Sequence, residues 1–306
     1  MSERPAAIPL LAVIGPTAVG KTALAIELAR RLGGEIVSAD SRQVYRHMDI
    51  GTAKPTLAER AAAPHHLIDV ADPDEEFSLA TYQDLATRAI TDITARGRLP
   101  ILAGGTGQYL AAILEGWQLP RVAPDPALRA ALEREAAERG AEALHARLAQ
   151  VDPEAAAGIA PANVRRVVRA LEVYTLTGRP ISAQRARQAP PYRSRTIWLT
   201  LPPPALYARI DARVDAMLAA GLLDEVRGLL ARGYGWELPA MSSLGYREFR
   251  PYLAGECPLE EAVQRLKYDT HAFARRQKAW FQRLPNVTQI PADAPNLLER
   301  ALVVWE

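Results

Sequence analysis

The chain has 306 residues, 49% apolar, 24% charged and 6% aromatic, which suits one large domain or a core carrying a smaller second domain. Disordered and collagen-like classes are excluded, and so is a membrane-spanning helix, since no apolar run reaches the roughly 18 residues one needs. The lone Cys257 rules out an internal disulfide or a cysteine-based zinc site, while the formal charge of +2 hides two basic stretches: residues 161–195 hold eight arginines against Glu172 alone, and residues 264–283 hold six basic residues against Asp269 alone.

Short apolar runs alternate with longer helical patterns, which predicts an α/β fold around a parallel sheet. The first run, LLAVI (10–14), follows Arg4 in a leader-like pattern. Pro9 interrupts it and it leads straight into a glycine motif, so a cytoplasmic protein is expected. That motif, Gly15-Pro16-Thr17-Ala18-Val19-Gly20-Lys21-Thr22, satisfies GxxxxGK[ST] between a predicted strand and a helix over 22–32 that Gly33-Gly34 ends. Glycines at 15 and 20 let successive N–H groups curl towards phosphate oxygens, and the helix start adds its positive end. Lys21 supplies a point charge and Thr22 a hydroxyl suited to Mg2+. An ordinary glycine turn is the alternative.

Two further strand ends carry unusual residues. EIVSA (35–39) runs into Asp40-Ser41-Arg42-Gln43, and LPILA (99–103) runs into Gly104-Gly105-Thr106-Gly107. Each alone reads as a helix cap or a strand-to-helix junction. Beside a P-loop they converge, because ligands of open parallel sheets gather beyond the carboxyl ends of the strands. HLIDV (66–70) is a further candidate strand. Successive residues of a strand face opposite ways, so His65 and His66 cannot share a metal ion.

Proline clusters at 119–126 and 189–192 bracket three helical patterns, 127–140, 141–150 and 163–178, the last stopped by Gly178. The sheet resumes with TIWLTL (196–201). Pro202 to Pro204 open a helix whose apolar stripe is Leu206, Ile210, Val214, Met217 and Leu218; a long helix follows from about 258 to 284, with VTQI (287–290) a weaker sixth strand. Arg209 and Arg213, spaced i, i+4, project from one face about 100° round from the stripe. They could reach a bound phosphate or pair with Asp211 and Asp215. The expected architecture is a P-loop NTPase-like parallel sheet with helices on both faces and an all-helical insertion: core residues 1–120, insertion 121–195, and a return to the core over 196–306.

GPTAVGKT, SADSRQVY, DIGTAKP, HHLIDV, GGTGQY and RALEVY, in that order, with SLGYRE and RRQKAWFQR further on, resemble the tRNA dimethylallyltransferase (tRNA isopentenyltransferase) family over most of the chain. The resemblance implies transfer of the five-carbon group of dimethylallyl diphosphate to the exocyclic amine of the adenosine 3′ of the anticodon, with Mg2+. It implies Asp40 as the base, Thr17 to Thr22 as the diphosphate cradle with Mg2+ on Thr22, and Arg213, with Arg209 beside it, on the diphosphate. Asp40, Ser41, Arg42, Gln43, Thr106, Gly245, Arg247, Gln277 and Trp280 would meet the tRNA. Val19 stands where the family often has serine, which removes one hydroxyl.

Residue chemistry supports such a reaction independently. An adenine amine is a poor nucleophile, so the driving force must come from an allylic diphosphate ionising while the cradle stabilises the leaving group. Asp40 then only orients the amine and accepts its proton. The basic residues Arg165, Arg166 and Arg169 of the insertion, the tRNA-binding part on this reading, and Arg275, Arg276 and Lys278 of the long helix suit a polyanion, the anticodon stem-loop of tRNA. A monomer is the working expectation. The rival readings are a P-loop kinase of a nucleoside or small metabolite, an isopentenyltransferase acting on free adenine nucleotides, and a nucleotide-gated RNA-binding module without chemistry.

Overall fold

Leu10 to Ile14 form an unbroken apolar run, fully withdrawn from water, as a strand covered on both faces must be. The structure, a computed structural model, describes residues 7–184 and 188–306. In chain order its elements begin with β1 (Ile8–Ile14), α1 (Lys21–Leu32), β2 (Gly34–Ala39), α2 (Leu57–Ala62), β3 (His65–His66), α3 (Leu79–Ala95), β4 (Leu99–Gly104) and α4 (Gly107–Leu114). Four helices follow: α5 (Pro126–Arg139), α6 (Ala141–Val151), α7 (Pro153–Ala157) and α8 (Val164–Thr177). The last are β5 (Tyr192–Thr200), α9 (Pro203–Ala219), α10 (Leu222–Ala231), α11 (Arg250–Leu253), α12 (Leu259–Phe281), β6 (Val287–Pro291) and α13 (Leu297–Trp305).

The chain divides into two units, residues 1–115 with 190–306, and residues 116–189. The larger unit holds one six-stranded sheet, all parallel, in the order β3-β2-β4-β1-β5-β6. Leu11 and Val13 pack with Leu24 and Leu28 of α1 and with Ala301 of α13, so strand alternation turns Leu10, Ala12 and Ile14 to the opposite face. A second apolar cluster joins Val44 and Met48 to Val226 and Leu229 of α10, Tyr246, Phe249 and Leu266 of α12.

HLIDV departs from expectation. Only its His66, with His65 before it, is in a strand, because Leu67 (φ 64°) and Asp69 (φ 58°) take left-handed conformations. Asp69 turns its carboxylate to Lys54 at 2.6 Å and Arg60 at 2.8 Å, which ends the strand pairing. β5 starts at Tyr192, four residues before the apolar run, since Arg193 and Arg195 alternate outward along its first half.

The smaller unit is all helical. Leu132, Leu144, Leu148, Val167 and Leu171 form its core, and Gly178 at φ 69° stops α8. Inside it Glu172, 0% exposed, accepts from Arg129 Nε at 2.8 Å, Arg169 Nη1 at 2.5 Å and the Asp125 N–H at 2.8 Å. A buried carboxylate needs such partners to remain charged.

Glu35 of β2 is the corresponding buried acid of the larger unit, bound by Arg96 at 2.5 Å and His66 at 2.7 Å. Burial alone would raise its pKa, but hydrogen bonds from Arg96 and His66 hold it below the usual carboxylate range. A depressed pKa gives stability present above the unfolded value, about 4.3, and lost as pH falls through the folded one. Glu35→Gln should therefore be less stable than the parent at neutral pH and lose less melting temperature on acidification, as thermal unfolding between pH 3 and 7 would read.

Candidate active site

Register assembles the site. Gly104 pairs with Ile14 on one side and Ala39 on the other, so β1, β4 and β2 end in one row. The turns that begin at Gly15, Gly105 and Asp40 leave from neighbouring points. Only glycine fits at 104, because a Cβ there would overlap the Ala39 carbonyl. Thr106 ties two of the turns together: its N–H donates to Ala39 O at 3.0 Å and its hydroxyl oxygen accepts from the Ser41 N–H at 2.9 Å. Asp40 Oδ1 accepts from the Arg42 N–H at 2.9 Å, which fixes the carboxylate over its own turn. Arg42 reaches the Pro239 carbonyl at 3.0 Å.

The P-loop enters α1 through Gly20, whose φ of 107° favours glycine. Ala18 (φ 62°) also takes a left-handed turn, and Val19, packed in the core, donates its N–H to Pro16 O at 3.4 Å. One amide is used differently from the sequence expectation: the Thr17 N–H donates to Gln277 Oε1 at 2.9 Å, and Gln277 Nε2 donates to Gly105 O at 2.9 Å. Gln277, 5% exposed, thus braces the loop from α12. The first-turn amides of α1 have no acceptor within the helix, and their owners Lys21 and Thr22 line the crevice.

Both candidate arginines of α9 reach the loop, Arg209 Nη1 to Val19 O at 3.4 Å and Arg213 Nη1 to Thr17 Oγ1 at 3.5 Å. Their acidic neighbours are engaged elsewhere, Asp211 with His271 at 2.8 Å and Asp215 with Lys267 at 2.6 Å. Lys21 Nζ donates to Pro16 O at 2.8 Å. Withdrawal from water pulls its pKa down to about 8; the Asp40 charge opposes this and Arg213 adds to it. Burial lowers Arg213 as well, again against Asp40. Glu59 also opposes the shift of Arg213, and two cations whose charge burial disfavours gain from an arriving anion.

The crevice between these groups has a volume of about 90 Å³ and is lined by Thr17, Lys21, Thr22, Asp40, Gln43, Thr52, Ala53, Ala103, Gly104, Arg213, Phe273 and Gln277. A more open groove of about 500 Å³ shares Lys21, Thr22, Ala53 and Arg213 and extends along Ala18, Gly20, Lys54, Glu59 and Arg209. Thr52, Ala53 and Phe273 were not singled out from the sequence as crevice residues. The DIGTAKP motif marked the first two, but nothing local shows which way its turn faces. Among the described residues no cluster of three or more His, Cys, Asp or Glu could hold a metal. A single hydroxyl, that of Thr22, would leave most of a Mg2+ shell to waters and phosphate oxygens, which is how that ion is commonly held.

The expected RNA-facing residues are dispersed. Arg165, Arg166, Arg179, Arg193, Arg195, Arg275, Arg276 and Lys278 are exposed, whereas Arg169 is engaged by Glu172 and by Val122 O at 3.1 Å. Arg247 pairs with Glu248 at 2.6 Å and Asp269 at 3.5 Å, and the Gly245 N–H donates to Glu248 at 2.9 Å. Arg275 donates to the Tyr207 hydroxyl at 3.2 Å. Trp280 is half-buried against Gly107. Arg4, Arg185 and Arg187 lie outside the described residues.

Residues 43–284 match the family model described as IPP transferase. A tRNA dimethylallyltransferase of Roseiflexus castenholzii is 75% identical over 294 residues, 96% of each chain. The crystal structure of the full-length tRNA isopentenylpyrophosphate transferase of Bacillus halodurans superposes with a TM-score of 0.72 at 44% identity, covering 97% of this chain and 94% of that one. A eukaryotic dimethylallyltransferase acting on tRNA gives a TM-score of 0.83 at 28% identity, over 96% of this chain and 77% of that one.

Anion binding restores the Lys21 charge, so it raises the lysine pKa above about 8. The Lys21 contribution to pyrophosphate affinity should be independent of pH below that value and weaken by up to about tenfold per unit above it, until the pKa of the bound state is reached. Calorimetric titrations between pH 7 and 9.5, corrected for the ionisation of pyrophosphate itself, would show the inflection, and Lys21→Met should abolish that part of it.

Proposed function

The chain belongs to the IPP transferase family, the tRNA dimethylallyltransferases, and on that premise we propose that its crevice moves a dimethylallyl group from dimethylallyl diphosphate to the exocyclic amine of the adenosine 3′ of the anticodon. Prenyl transfer to tRNA, rather than the phosphoryl transfer or free-nucleotide chemistry that a P-loop alone leaves open, is the reaction for which its relatives are named. The observation that carries the residue-level reading is the sharing of one crevice by Lys21, Thr22 and Arg213 with Asp40.

The diphosphate lies on Lys21, Arg213 and the first-turn amides of α1, with Thr17 and Arg209 beside it. As the allylic C–O bond breaks, its electron pair goes to the diphosphate, and these donors meet the growing charge without reorganising. One preorganised donor in such a site contributes about 3–4 kcal/mol. The amine lone pair forms the new C–N bond at the allylic carbon, and Asp40 accepts the proton that the nitrogen then releases. Gln43, whose amide lines the same space, orients the base. Thr22 and the diphosphate oxygens would hold Mg2+, which when bound neutralises leaving-group charge.

The adenosine must leave its stack to enter a crevice this narrow. Exposed Arg165, Arg166, Arg275, Arg276 and Lys278 are proposed to take the tRNA phosphates. Among the described residues no helix is long and apolar enough to cross a membrane, and a tRNA substrate places the work in the cytoplasm.

Asp40→Asn and Arg213→Ala should each lower kcat by about 10²-fold or more while tRNA affinity, carried by phosphate contacts, stays within about twofold. Single-turnover assays with mass analysis of anticodon-loop adenosines read the first effect and filter binding the second; equal losses in both would remove the catalytic assignment. Arg165→Ala and Arg275→Ala should each reduce the salt slope of tRNA binding by about one.

A further inference from the structure

The segment over residues 49–53 walls the crevice through Thr52 and Ala53, yet it belongs to no helix or strand. Its hold comes from elsewhere. Three successive backbone N–H groups, of Asp49, Ile50 and Gly51, donate to one carboxylate, Glu225 of α10, at 2.8, 2.8 and 3.1 Å. Glu225 Oε1 also accepts from the Tyr246 hydroxyl at 2.7 Å. That hydroxyl is pushed well above its usual pKa by burial and by the Glu225 charge, so it remains a donor. The Tyr246 ring closes over Gly51 so tightly that a Cβ at that position would overlap it.

Successive amides curled about an anion form a nest. In this nest the anion is a side chain that lies 176 residues further along the chain from Asp49. The restraint is passed on to the crevice. The Thr52 hydroxyl donates to Met48 O at 2.6 Å, and the Thr52 and Ala53 carbonyls accept the Gln43 amide at 3.4 and 3.1 Å. Gln43 Oε1 accepts from the Ser38 hydroxyl at 3.3 Å, and Gln43 lines the crevice with Asp40.

We propose that Glu225 is a positioning residue for prenyl transfer: its carboxylate fills the nest of Asp49 to Gly51 and so fixes the wall of Thr52 and Ala53, and the Gln43 amide, relative to Asp40. The proposal rests on the activity assigned above. Glu225 is not among the residues that line the crevice, and it acts through the backbone it holds. The same carboxylate is what a small free carboxylate could replace.

Glu225→Ala leaves a hole lined by three N–H groups and a hydroxyl. Its kcat should fall by about 10²-fold, the scale of an ångström-size misplacement, with pyrophosphate affinity at the P-loop nearly unchanged. Added formate or acetate should restore kcat saturably, whereas formamide and chloride should not. Hydrogen exchange at Asp49 to Gly51 should quicken in the variant and slow again with formate. A kcat equal to the parent's, or a loss that no carboxylate reverses, overturns the proposal. If Glu225→Ala does not fold, Glu225→Gln keeps the volume and one acceptor oxygen; it should lose about tenfold in kcat with pyrophosphate affinity retained, and an unchanged kcat overturns the proposal. A parent chain that forms no prenylated tRNA would count against the proposed activity, while the exchange measurement still judges the clamp.

Discussion

Everything in the larger unit is arranged around positive charge kept out of water. Lys21 and Arg213 are held in a recess where each has its pKa lowered by burial, with Asp40 opposing both shifts and Glu59 that of Arg213. Such a recess is costly to build, and the fold meets the cost with a rigid frame. β1, β4 and β2 end in register, so the three turns cannot drift apart without breaking the sheet. Thr106 ties the Asp40 turn to the end of β4, and Gln277 ties the P-loop to it. On the proposed function, an arriving diphosphate would find donors already aimed, and little of its binding free energy would be spent on ordering them.

Much of this was legible in the sequence because it is local. GPTAVGKT needs only its own eight residues and their place between a strand and a helix to raise the expectation of a phosphate cradle. The i, i+4 spacing of Arg209 and Arg213 forced both onto one face of α9, and strand ends marked by Asp40 and Gly104 followed from short apolar runs. Long-range contacts were not legible. Gln277 lies 260 residues from the amide it accepts, and nothing in RRQKAWFQR separates an amide braced inward from one facing RNA. Glu225 looks like any acid in the first turn of a helix, and its nest exists only after folding.

Two differences between sequence and structure have simple physical causes. HLIDV has the composition of a strand but not its backbone, since Asp69 is drawn to Lys54 and Arg60 and its segment turns left-handed. Arg169, expected to face a polyanion, is also the partner of Glu172, which follows it at i+3, a spacing that pairs the two on one helix face. Counting charge along a chain treats every cation as free; a single acid at helical spacing and deep burial removes one from that sum. Arg165 and Arg166, on the same helix, stay exposed.

The brace at 277 is a neutral amide, and that neutrality has a consequence. A glutamate there could accept the same N–H from Thr17, but it would set a fixed negative charge beside a loop proposed to hold phosphate and cancel part of its attraction; a lysine could not accept at all. Glutamine offers acceptor and donor at once with no net charge, so the scaffold is stiffened and its electric field left undiluted.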